Sequence, residues 1–190
     1  MDTNNYLASV KKQFQYYKQL GDQTMAQLED EDLFWQYNEA SNSIAVIVKH
    51  IAGNMLSRWT DFLTTDGEKA WRDRDEEFVD DLGSTAAVKA YWEKGWAALY
   101  NALEQVNEEN ADTIIYIRKM GHTIPEAINR QMMHYAYHIG QMVYVGRMIR
   151  GAMWQSLSIP KGDSKKYNAG KFALEKRKAH FTDEFLEDKK

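Results

Sequence analysis

The chain has 190 residues, 44% of them hydrophobic and 27% charged, with a net charge of −4. That length and balance suit one domain with a sizeable core, and the mild acidity argues against a nucleic-acid partner, which needs a concentrated basic surface. Cysteine is absent, so disulfides, thiolate metal ligands and a cysteine nucleophile are excluded.

The opening Met1–Asn5 is not a basic region followed by an apolar run, and no stretch approaches 18 consecutive apolar residues. The expectation is a cytoplasmic chain with no signal peptide and no membrane association. Only two prolines occur, Pro125 and Pro160, both at places that read as element boundaries. Long proline-free segments favour helices.

The first helix is predicted from about Asn4 to Leu28, where Tyr6, Leu7, Val10, Phe14, Tyr17, Leu20 and Met25 recur near a 3.6-residue period. Gly21-Asp22 weakens it without ending it. The acidic run Glu29–Asp32 reads as a solvated connection, because its four carboxylates lack the spacing of a calcium loop. Leu33-Phe34-Trp35 is expected to fold this connection back onto the core.

A second helix begins near Ser41-Asn42-Ser43, all good N-cap types. Ile44, Ile47, Val48, Ile51, Met55, Trp59 and Phe62 form its apolar stripe, with His50 beside it. Gly53, one turn past His50, costs a helix about 1 kcal/mol relative to alanine, which is tolerable where another group must come close. From Thr64 to Gly83 the helical pattern fails, and the segment reads as a long crossover loop, where function often lies. Within it Trp71, Arg72 and Arg74 read either as the mouth for an anionic substrate or as a tryptophan pinning the loop to the surface.

Ser84 caps a third helix running to about Asn107, with Val88, Trp92, Trp96, Leu99, Leu103 and Val106 on its apolar face. Gly95 suggests close helix packing. Ile114–Ile117 has strong β propensity and Lys119–Gly121 suits a turn, so a short strand or small hairpin is expected there. His122, at its end, reads as a surface or capping residue and an outside metal candidate.

The fourth helix opens with Thr123-Ile124-Pro125-Glu126, a capping-box pattern with proline in the first turn. It is predicted to reach about Ala152, with Ala127, Gln131, His134, His138, Met142, Val145 and Ile149 on one stripe. Beyond Trp154 the chain turns polar and basic. Lys161–Gly170 is expected to be extended or mobile, and Lys171–Leu186 to form a peripheral helix carrying His180. The domain expectation is therefore a bundle over 1–160 and a polar C-terminal extension over 161–190.

The chemistry concentrates in three histidines. His134 and His138, four residues apart, share one helix face and can close on one metal ion. His50, on the second helix, is the third candidate ligand. Bundle cores place ligands on facing helices in this way, and three imidazoles with an open fourth position form a catalytic type of site. Neutral imidazole suits zinc, nickel, iron and copper alike. Gln141 and Asn54, one turn beyond His138 and His50, are candidate partners for the outer ring nitrogens. Tyr135 stands where a His-Glu-x-x-His protease needs its glutamate, and the Glu-x-x-His pairs of a diiron bundle are missing.

Ser43–Met55 on the second helix, His134–Gln141 on the fourth and Trp154–Gly162 together resemble the DinB-like superfamily, in particular a branch of uncharacterised bacterial members, over about residues 4–165. The resemblance implies an all-α fold, an antiparallel four-helix bundle with a long crossover between helices two and three. It implies a divalent metal on His50, His134 and His138, with zinc, nickel or iron as candidates, and commonly a homodimer. Characterised relatives include thiol-dependent transferases and isomerases, so it further implies a low-molecular-weight thiol cofactor and a small-molecule substrate.

Three readings compete. The first is a metal-dependent enzyme, an S-transferase or hydrolase acting on small electrophiles, with Tyr16, Tyr17 or Tyr137 as proton donor. The second is a non-catalytic metal-binding or stress-response dimer. The third is an interaction bundle whose three histidines hold no metal.

Overall fold

The computed structural model describes residues 2–186. The chain is mostly helical, with helices α1 (Thr3–Met25), α2 (Ile44–Trp59), α3 (Thr85–Leu103), α4 (Ile124–Arg150), α5 (Ser164–Phe172) and α6 (Asp183–Leu186). Strands β1 (Ile114–Ile117) and β2 (Met120–Thr123) form one antiparallel hairpin between α3 and α4. Helices α1 to α4 share one hydrophobic core, to which the hairpin adds Ile115 and Ile117.

Helix starts follow local chemistry. The Ser43 and Ser84 hydroxyls accept from the backbone N–H of Val46 and Ala87, each three residues on. At α4 the full capping box forms: Thr123 Oγ1 accepts from Glu126 N, and the Glu126 carboxylate accepts from Thr123 N. The first helix begins one residue earlier than expected, on an Asp2 side-chain cap, and stops at Met25.

Helix α2 is the central element, buried on nearly every side. It packs against α3 and α4, while α1 packs mainly against α4. Gly95 explains the closeness of α2 and α3, because a Cβ there would lie 2.7 Å from the Ala52 Cα. The buried stripe of α4 is Ile124, Ala127, Ile128, Gln131, Tyr135, Ile139, Met142 and Gly146. It is rotated slightly from the predicted stripe, so His134 and His138 lie at its edge, half-buried.

The crossover between α2 and α3 is anchored by Asp66. Its carboxylate accepts from the backbone N–H of Arg118 at 2.8 Å and of Lys119 at 2.7 Å. Those two residues form the hairpin turn with φ of 56° and 63°, a left-handed geometry usually given to Asn-Gly. The turn therefore sits at Arg118-Lys119, slightly before the expected Lys119–Gly121.

The C-terminal expectation needs correction. Within Lys161–Gly170, expected to be extended or mobile, residues from Ser164 onward belong to helix α5, and of Lys171–Leu186 only Lys171-Phe172 at the end of α5 and Asp183–Leu186 are helical. α5 buries no residue, so it carries no apolar period for a sequence reading to detect. The tail docks on α1: Ser9 Oγ lies 2.9 Å from His180 Nε2, and Lys12 Nζ lies 2.6 Å from the Asp183 carboxylate. Phe181 and Phe185 pack beside the Tyr16 ring. No helix among the described residues is long and apolar enough to cross a membrane.

A candidate metal centre of three histidines

α2 and α4 bring His50, His134 and His138 together, with one ring nitrogen of each within 4.8 Å of the others. The Nε2 atoms of His50 and His134 are 3.3 Å apart, and those of His138 and His134 are 3.1 Å apart. Three nitrogens each about 2.0–2.1 Å from one tetrahedral ion lie roughly 3.3–3.4 Å apart, so the cluster has the dimensions of a metal site.

The outer nitrogens decide the protonation pattern. His50 Nδ1 donates to Glu77 Oε2 at 2.9 Å, and His138 Nδ1 donates to Gln141 Oε1 at 2.9 Å, since a carboxylate and an amide oxygen only accept. In the neutral rings both Nε2 atoms then turn lone pairs toward His134 Nε2. A single proton on that atom satisfies at most one of them. A cation at the centre satisfies all three, and this electrostatic demand is the strongest sign of what the site is for.

Burial works in the same direction. It is the main cause of the fall in the His134 pKa to about 3, reinforced by His138, by His50 and by the guanidinium groups of Arg58 and Arg72. His138 is also lowered, chiefly by burial, with its bond to Gln141 opposing and His50 and Arg74 adding to the effect. Rings that resist protonation keep their lone pairs available to a metal.

A buried ionic support stands behind His50, whose own exposure is only 4%. Burial alone would raise the Glu77 carboxyl, but hydrogen bonds from His50 and Arg72 outweigh it and hold the group below its ordinary value. Arg72 grips Glu77 with two nitrogens, Nε to Oε1 at 2.7 Å and Nη2 to Oε2 at 2.8 Å. Phe78 stacks on the His50 ring at 4.7 Å, and the Arg74 guanidinium lies over Phe78. A methyl group added at Gly53 would collide with the Glu77 carboxylate, which accounts for that glycine.

The family model described as "Protein of unknown function (DUF1572)" matches residues 2–163. The chain belongs to this family. The match includes the three histidines, Glu77 and Gln141. No curated protein matches the chain, and no solved structure does.

Other candidate residues fall elsewhere. Asn54 does not meet His50; it accepts from the buried Tyr135 hydroxyl, which in turn accepts from Trp59 Nε1. His122 bonds Met120 O and Arg130, and His180 bonds Ser9 and Thr182, so neither joins the cluster. Arg72 is consumed by Glu77 and Glu68 and is not free to line a mouth, while Trp71 is 61% exposed. Tyr16 lies under the tail, whereas the Tyr137 ring sits 4.9 Å from that of His138. Glu77 was missed in the sequence. The only trace of it was Gly53, which announced that something approaches α2 one turn past His50.

Proposed function

We propose that this is a DinB-like four-helix bundle holding a divalent transition metal on His50, His134 and His138, and that it is a metal-dependent enzyme acting on small electrophiles. The observation that carries the metal is the convergence of three Nε2 atoms, with the outer nitrogens of His50 and His138 already committed to Glu77 and Gln141. Zinc, nickel and iron all suit three neutral imidazoles. A metal so bound would leave a position open at which water or a low-molecular-weight thiol ionises near neutral pH. The thiol rests on the resemblance of the two histidine segments alone.

The chain's own groups have narrower tasks. Glu77 and Gln141 fix the ring orientations of His50 and His138, and Phe78 covers one face of His50. Tyr137 is the hydroxyl-bearing residue placed to meet a group reacting beside His138. We extend the proposal to a homodimer packed on the exposed apolar side chains of the hairpin, Ile114, Tyr116 and Met120. The bundle unit is placed at 1–160, with 161–190 as an appended segment.

One observation favours the second reading, a non-catalytic metal-binding protein. The carboxylate nearest the cluster, Glu77, is locked between His50 and Arg72 and cannot carry protons to a substrate.

The deciding experiment is the metal content of untagged protein, by elemental mass spectrometry, for wild type and His138→Ala. Near one equivalent of a transition metal in the wild type, lost in the variant, is expected. A metal-free wild type that also fails to bind added zinc or nickel would leave an interaction bundle with three histidines.

A further inference from the structure

Beside the histidines runs a cleft of 750 Å³ between α4 and the segment leading into α2. Small-molecule sites typically enclose about 300–1,000 Å³. Tyr137, Gln141 and Tyr144 of α4 form one side, and Tyr37, Asn42 and Ile47 stand on the other. None of the residues lining it is charged. The three tyrosines are 72%, 64% and 65% exposed at positions 37, 137 and 144, an unusual amount of aromatic surface left in water.

The cleft adjoins the candidate metal centre. Gln141, in its wall, accepts the hydrogen bond from His138 Nδ1, and Tyr137 packs edge-on against the His138 ring. A molecule lying in the cleft is thus separated from the cluster by the His138 side chain. A charged molecule would lose water there without finding an ionic partner, whereas a flat neutral one gains stacking surface and the amides of Asn42 and Gln141.

The geometry points to a binding site for neutral aromatic small molecules in this cleft, positioned to present them to the histidine cluster. This names the substrate class of the proposed enzyme and, in that respect, rests on the metal reading; the cleft itself does not.

Gly140 supplies a clean test. It lies in the cleft wall, and a Cβ added there would meet nothing within 4 Å. Gly140→Leu therefore fills the cleft without disturbing the packing. Binding of 2-naphthol and of naphthalene-2-sulfonate would be measured by fluorescence titration and calorimetry, with sedimentation run on the same samples. Wild type should bind 2-naphthol, with the sulfonate at least roughly tenfold weaker because its charge is unpaired. Gly140→Leu should keep its melting temperature and lose at least about tenfold in 2-naphthol affinity, and Tyr144→Ala should weaken binding as well.

Absence of 2-naphthol binding to wild type, equal binding by Gly140→Leu, or tighter binding of the sulfonate overturns the proposal. So does a wild-type dimer that Gly140→Leu converts to monomer, since a second copy would then occupy the cleft. Cobalt(II) at the histidines separates the two readings. If cobalt loads, saturating 2-naphthol should change its visible absorption, and an unchanged spectrum overturns the presentation to the cluster. If cobalt fails to load while 2-naphthol still binds, the metal reading falls and the cleft stands.

Discussion

The two walls of the histidine cluster are built differently. On the α2 side His50 is buried, its outer nitrogen held by Glu77, which Arg72 grips in turn. On the α4 side His134 and His138 are half-buried, and a single neutral amide, Gln141, orients His138. A buried ion pair fixes one ligand firmly, at the cost of desolvating two charges. The amide on the other wall orients its ligand without desolvating a charge. The difference separates two tasks: the α2 wall is fixed by buried charge, and the α4 wall, with the cleft beside it, is the more exposed.

The sharpest way to break this contrast is Arg72→Ala. It would strand Glu77 as an uncompensated buried carboxylate, and removing one partner of such a pair costs about 3–5 kcal/mol. Denaturant unfolding of the metal-free protein measures it; a loss below about 1 kcal/mol would mean that the α2 wall is not held by this pair.

Next in size is the paired comparison of Glu77→Gln with Gln141→Ala. Groups that orient a ligating histidine typically contribute about 10–100-fold to metal affinity. Glu77→Gln should show that full loss by competitive zinc titration. Gln141→Ala should show less, because water can take the place of the amide on the open wall. Equal losses would erase the distinction between the walls.

The contrast also sets the pH dependence of the metal-free chain. Folded, His134 takes up a proton only near pH 3, whereas an unperturbed histidine does so near 6.5. The unfolded chain binds more protons across that window, so stability should fall as pH drops from 6.5 toward 3. His134→Gln should flatten that slope in melting curves taken at several pH values. A slope unchanged by the substitution would place the sensitivity elsewhere.

Much of this was legible in the sequence because it is written locally. The caps at Ser43, Ser84 and Thr123 lie within three residues of what they bond, and His134 and His138 share a helix face by spacing alone. His50 was readable because it accompanies an apolar stripe. What escaped was contact between distant segments. Glu77 lies 27 residues from His50, inside a charged run that looks solvated. The hairpin turn escaped its register because Arg118 and Lys119 hold positive φ with no Asn or Gly between them, a geometry maintained by Asp66 from 52 residues away. α5 escaped because a helix that buries nothing leaves no periodic signature.

The Asp66 clamp has one more consequence. It closes a long stretch of chain that contains both Glu77 and α3, tying the hairpin turn to the crossover that carries the support of His50. The amide hydrogens of Arg118 and Lys119 therefore report on the clamp that anchors the crossover. Their exchange with solvent counts how often the crossover lets go, in a protein carrying no metal and no label.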